Sequence, residues 1–110
     1  MVREIMNTYE IPLTAKNQRF NISLAGRSVV ITLRWKAITD GGWSIDIDDA
    51  ITGRPLALGI PLVAGADLLE PFAYLGISCR MFIGGDDLKE ATRENLGEHV
   101  KLYIAVEAVA

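Results

Sequence analysis

Apolar and polar residues alternate along much of the chain. Phe20, Ile22 and Leu24 take turns with Asn21 and Ser23. Val29, Ile31, Leu33 and Trp35 take turns with Thr32, Arg34 and Lys36, and Trp43, Ile45 and Ile47 with Ser44, Asp46 and Asp48. A strand sends successive side chains to opposite faces, so a period of two predicts strands with one buried face. Between the runs stand Ala25-Gly26-Arg27, Thr39-Asp40-Gly41-Gly42 and Ile51-Thr52-Gly53-Arg54-Pro55. These hold the Gly, Asp and Pro residues that tight turns select. Leu56, Leu58 and Ile60 form a further apolar set, closed by Pro61. Residues 19–60 therefore read as a β-meander of four strands.

The flanks are less regular. Ile5, Tyr9, Ile11 and Leu13 mark an extended arm from about Glu4 to Leu13, and Pro12 limits its end to a sheet edge or a boundary. Ala64 to Leu69 reads as one helical turn with Asp67 near its start, and residues 70–78 show no period. Cys79 to Ile83 is a short strand stopped by Gly84-Gly85-Asp86-Asp87. Residues 86–97 are polar, with Leu88, Ala91 and Leu96 too sparse to predict a helix. Val100, Leu102, Ile104 and Val106 close the chain as a long strand. The expectation is an all-β fold, a small barrel or a two-sheet sandwich of six or seven mostly antiparallel strands with short loops and little helix. The last strand runs on through Ala105-Val106-Glu107-Ala108-Val109-Ala110, apolar and weakly charged. Left as an open edge it would be a pairing surface, which makes Val106 and Val109 candidate interface residues.

Composition narrows the class. The chain has 110 residues, half of them hydrophobic and 23% charged. That suits one β-rich domain over residues 1–110, large enough to bury a core without disulfides or metals. Apolar runs are only a few residues long, so no segment predicts a bilayer span. Met1-Val2-Arg3-Glu4 leads into no apolar stretch, so no secretion signal is expected, and Asn21-Ile22-Ser23 is discounted as a glycosylation acceptor. A lone Cys79 excludes an intramolecular disulfide and a cysteine-based zinc cluster. Residues 1–55 carry seven basic and six acidic side chains, and residues 56–110 carry four and eight. A nucleic-acid binder needs a basic stripe to neutralise phosphates. Arg19, Arg27, Arg34 and Lys36 are instead spread over strands and turns, so no nucleic-acid partner is expected.

Few residues suggest chemistry. Asp46, Asp48 and Asp49, with Asp40 upstream, could offer oxygen ligands to calcium, but the D-x-D-x-D-G spacing with a distal Glu is missing. Asp46 and Asp48 also fall on the solvent phase of their strand. His99 is the single histidine, and neither it nor Cys79 sits in a nucleophile motif. His99 reads as a surface residue and Cys79 as a small buried hydrophobe. Gly41-Gly42 and Gly84-Gly85 match no phosphate-binding loop. If exposed, Trp35 and Trp43 could stack on sugar rings, and with the Asp cluster they would make a small-ligand or carbohydrate-binding module. Both fall in phase with the apolar positions, which favours a cross-strand core pair. With no convergent acid–base set, the expectation is a protein that is not an enzyme and needs no cofactor or metal.

Several segments nevertheless form a pattern. Glu10-Ile11-Pro12-Leu13-Thr14 is followed by Asn17-Gln18-Arg19-Phe20. Leu33-Arg34-Trp35 precedes Gly42-Trp43-Ser44-Ile45-Asp46-Ile47 and Asp49. Then come Gly59-Ile60-Pro61-Leu62-Val63, Gly65 and Asp67-Leu68-Leu69. Tyr74-Leu75-Gly76-Ile77 follows, and Glu94-Asn95-Leu96-Gly97 with Val100-Lys101-Leu102-Tyr103 completes the set. In this order, over roughly residues 9–104, the chain resembles the small baseplate plug proteins of contractile-tailed bacteriophages. The resemblance implies a β-rich structural part of the virion near the tail hub, made in the host cytoplasm and held by copies of itself and by neighbouring tail proteins. It implies no catalytic residue and no cofactor. Asn17, Gln18 and Arg19 are the most polar part of the pattern, and could satisfy loop backbone groups or meet a partner.

Overall fold

The computed structural model describes residues 5–36, 42–77, 79–85, 92, 96–98 and 100–108. Within them lie β1 (Ile5–Ile11), β2 (Gln18–Leu24), β3 (Arg27–Lys36), β4 (Gly42–Asp49), β5 (Pro55–Pro61), β6 (Cys79–Gly85), β7 (Val100–Ala108) and a short 3-10 helix, Glu70–Leu75. The strands form two antiparallel sheets, ordered β2-β3-β4-β5 and β1-β7-β6. The sheets do not join into a barrel, so the architecture is a sandwich. The expected meander is present, with each strand of the larger sheet pairing the next in sequence.

Local chemistry explains the meander. Leu24 pairs with Arg27 across a two-residue turn, Ala25-Gly26, with φ of 51° and 86°. Two positive φ values make the turn whose twist matches the flanking strands. On β3, Val29, Ile31 and Leu33 are fully buried, and on β4 so are Ile45 and Ile47. These meet Ile11, Met81, Ile83, Val100, Leu102 and Ile104 of the other sheet in one apolar cluster. Each such side chain contributes about 1.5–3 kcal/mol by leaving water. Leu13, Leu62, Leu68, Leu69 and Leu96 enter the same cluster from outside the strands. Gly97 lies against the end of the β1 arm, where a Cβ would run into the Leu13 carbonyl. Only glycine allows that approach.

Three expectations fail, each for a physical reason. Leu56, Leu58 and Ile60 do not share a face. Ile45 pairs with Ile60 and Ile47 with Ala57, so β5 holds one extra residue there. This β-bulge shifts the phase, sending Ala57 into the core and leaving Leu58 61% exposed. The Asp46 carboxylate accepts the Gly59 N–H at 2.8 Å and secures the bulge.

The helical turn predicted for Ala64 to Leu69 is absent, and the 3-10 helix begins only at Glu70. Ala64 instead makes a parallel bridge to Ile83, and the Leu68 N–H donates to the Met81 carbonyl at 2.6 Å. With the Leu68 N–H committed to a strand, no helical turn closes within 64–69, and the first i to i+3 bond runs from the Glu70 N–H to the Asp67 carbonyl at 3.2 Å, where the 3-10 helix begins. Finally, β7 is no open edge. It is the middle strand, paired to β1 from Ile5↔Ala108 to Ile11↔Leu102 and to β6 from Cys79↔Val106 to Gly85↔Val100.

A non-glycine residue held at positive φ carries a steric cost of about 1–2 kcal/mol. Ala25→Asn places there a residue that tolerates this conformation. It should raise stability by about 0.5–1 kcal/mol, read as a higher Tm in a thermal melt. An unchanged or lower Tm would contradict the assigned turn.

Candidate interaction surfaces

The polar motif that opens β2 mostly serves its own chain. The Asn17 Oδ1 accepts the Trp35 N–H at 2.9 Å, extending the cross-strand bonding beyond the end of β2. The Gln18 amide donates to the carbonyls of Thr14 at 2.7 Å and Lys16 at 2.9 Å, which fixes the β1–β2 loop. Arg19, next along, is exposed on the outer face. Val106 sits half-buried on β7, across from Asn7 and Cys79. Val109, His99 and Asp40 lie outside the described residues.

The features that hinted at ligand binding do not converge. Trp35 and Trp43 are register partners, packed edge to face with ring centroids 5.1 Å apart. Trp43 is 4% exposed and its indole N–H donates to the Thr92 carbonyl at 2.9 Å. The pair belongs to the inner side of the larger sheet, as its apolar phase predicts. A cleft of about 370 Å³ lies between these rings and Ala15, Lys16 and Asn17.

The Asp residues of β4 divide by parity. Asp46 and Asp48 alternate with the buried Ile45 and Ile47, whereas Asp49 follows their phase. Asp46 pairs with Arg34 at 3.4 Å and Asp49 with Arg27 at 3.4 Å. Among the described residues no three His, Cys, Asp or Glu side chains gather as a metal site. Cys79 is half-buried, and burial pushes its thiol up to about 11, with the Asp67 charge adding. The thiol therefore stays protonated and poorly nucleophilic at neutral pH.

What the structure adds is the treatment of the sheet edges. An unpaired strand edge is a template for another chain unless it is covered, bulged or charged. The β6 edge is covered by the segment after β5. There the Asp67 Oδ1 accepts the Met81 N–H at 3.0 Å and the Leu69 N–H at 3.1 Å, beside the Leu68-to-Met81 bond. The β5 edge is bulged and carries Pro55 and Pro61 at its ends. Beside it lies an apolar groove of about 270 Å³, lined by Pro61, Val63, Leu68, Pro71 and Phe72 among others. Nothing in the local sequence pattern marks this groove, because it is assembled from a bulged strand, a loop and a 3-10 helix.

On the outer face of the smaller sheet, Phe82 and Tyr103 stack with centroids 5.6 Å apart. The Tyr103 ring also covers Gly84, where a Cβ would approach it to 3.2 Å. Among the described residues no helix is long and apolar enough to cross a membrane.

These surfaces belong to an all-β structural domain, with its polar side chains turned largely to its own turns and edges. Its sequence matches the family described as cyanophage baseplate Pam3 plug gp18 over residues 8–107, nearly the whole chain. The chain belongs to this family of phage baseplate plugs, and its role is that of a structural baseplate component of the virion tail. No curated protein matches the chain.

Two outcomes test the local chemistry. Asp67→Ala leaves two backbone N–H groups without their acceptor and should cost about 1–3 kcal/mol, read from denaturant unfolding. An unchanged midpoint would show that the Asp67 cover adds nothing.

The Asp49 carboxyl is held below its ordinary value of 3.8, chiefly by the Thr52 and Ile51 N–H groups, with Arg27 adding to them. A depressed folded-state pKa gives stability that is present above the unfolded value and is lost as pH falls through the folded one. Asp49→Asn should therefore lower the Tm at neutral pH, and the gap to wild type should close as the pH drops below 3.8. A gap that persists in acid would place the effect elsewhere.

Proposed function

We propose that the protein is a non-enzymatic assembly part of a contractile tail, seated in the baseplate beside the tail hub. Copies of the chain and neighbouring tail proteins hold it in place. The family match over residues 8–107 carries this reading. The chemistry of the domain supports it: Asn17, Gln18, Asp46, Asp49 and Asp67 all satisfy backbone groups of their own chain, which stiffens a small part against load.

Contacts to neighbours are proposed at the exposed Arg19 beside Asn17 and Gln18, and at the end of β7 that includes Val106 and leads to Val109. The groove beside β5 offers an apolar contact, with Leu58 and Val63 exposed next to it. A protein–protein interface of this kind typically combines an apolar centre with a polar rim.

The test is co-expression of the tagged chain with the tail proteins encoded beside it. The expected result is recovery of the chain with the hub component, and loss of that recovery when Arg19 and Leu58 are both changed to Glu. Recovery of the chain alone, in the presence of soluble hub protein, would contradict the proposal.

A further inference from the structure

The four sheet edges are not equivalent. β6 is covered through Asp67, and β5 is bulged and flanked by prolines. Both of these edges face the side crossed by residues 62–69. The remaining edges are β2 and β1. Among the described residues, no backbone bond reaches the outer side of either.

β2 carries the exposed Arg19, a charge of the kind that discourages strand pairing, and its Phe20 and Ile22 already pack against the core. β1 differs on both counts. Its one charged residue, Glu10, pairs with Lys101 of β7 at 3.5 Å. Tyr9 shares the phase of the buried Ile11 and is the register partner of Ile104, yet it remains 54% exposed. The inner face of the smaller sheet is thus unfinished at β1. β1 itself is seven residues long, with no bulge in its pairing to β7 and no proline.

We infer that β1 is the self-association edge, and that it pairs antiparallel with β1 of a second copy about a two-fold axis at Thr8. The result is a continuous sheet of six strands, β6-β7-β1 of each copy. A second copy is the occupant because the strand is complementary to itself in this register. Thr8 meets Thr8, a favourable cross-strand pair. Asn7 lies opposite Tyr9, and Glu10 lies opposite position 6, so no like charges face each other. Tyr9 is diagonal to Tyr9 of the other copy on the same face, within reach of an aromatic contact. An isologous contact of this kind closes on itself and does not propagate into fibres. The inference deepens the multicopy part of the proposed function and does not depend on which tail protein lies alongside.

The test uses the full chain with Cys79→Ala, which removes the native thiol. Light scattering across a concentration series should show a mass rising to twice 12.0 kDa. Thr8→Cys should cross-link between chains with a short bis-maleimide reagent, because residues directly opposite across an antiparallel pair bring their Cβ atoms to about 4.5–5.5 Å. Asn21→Cys, in the middle of β2, should not. Thr8→Lys sets two cations together on the axis and should return the protein to a monomer, with the strand content by circular dichroism unchanged.

Three results would overturn the inference. One is a Cys79→Ala chain that stays monomeric at every concentration. Another is a dimer that cross-links through Asn21→Cys in place of Thr8→Cys. The third is a dimer that survives Thr8→Lys. Capture by tail proteins is read in a separate experiment, so a failed dimer and a failed baseplate assignment are told apart.

Discussion

The fold depends on a long-range pairing. The larger sheet is a local object, since β2 to β5 each pair with the next strand along the chain. It exposes an apolar face of Val29, Ile31, Leu33, Ile45 and Ile47 that is stable only when something covers it. The cover is the smaller sheet, which has no meander to build it. β1 comes from the start of the chain and β6 from its second half, and β7 joins them by pairing with both. Without β7 the other two strands would have no common partner, and the core of the larger sheet would face water. Non-local pairings of this kind carry a loop-closure cost and slow the folding of β-sandwiches.

The second theme is control of edges. A two-sheet sandwich has four of them, and this chain treats them unequally. Residues 62–69 cross from the end of β5 to the edge of β6, and one carboxylate, Asp67, anchors that crossing by taking two backbone N–H groups. Surface ion pairs such as Arg34–Asp46 and Lys101–Glu10 add little, typically under about 1 kcal/mol each. The backbone-directed carboxylates matter more, because an N–H group left without a partner away from water is costly. Among the described residues two edges are covered or bulged and two meet no further backbone, which gives the sandwich a sidedness. For a baseplate component, that sidedness is a means of deciding which neighbours it can meet.

Much of this was legible in the alternating pattern. Strands with one buried face announce themselves by parity, and parity placed Trp35 and Trp43 inward and Asp46 and Asp48 outward. Parity also separates Asp49 from its neighbours, a distinction hidden when the three residues are taken together as a cluster. The intrachain role open to Asn17 and Gln18 rests on their ability to accept from and donate to backbone groups, and both do so. Other features were not local enough to read. The phase of β5 changes because its register against β4 slips at two places, and nothing in Leu56-Ala57-Leu58-Gly59-Ile60 alone states where. Residues 64–69 have the composition of a helical turn, yet Asp67 reaches Met81, fourteen positions ahead. The central place of β7 is a property of sheet order, on which a period of two is silent. The candidate surfaces were the least legible part, since the groove beside β5 and the edge position of β1 exist only once the strands have been arranged.

Native-state hydrogen exchange tests the central claim most directly, because it ranks strands by the free energy needed to expose them. If β7 organises the smaller sheet and closes the core, the bonded amides within Val100–Val106 should exchange only through global unfolding, as slowly as those of β3 and β4. Exchange of β7 ahead of the core strands, at the rate of a fraying edge, would contradict the account.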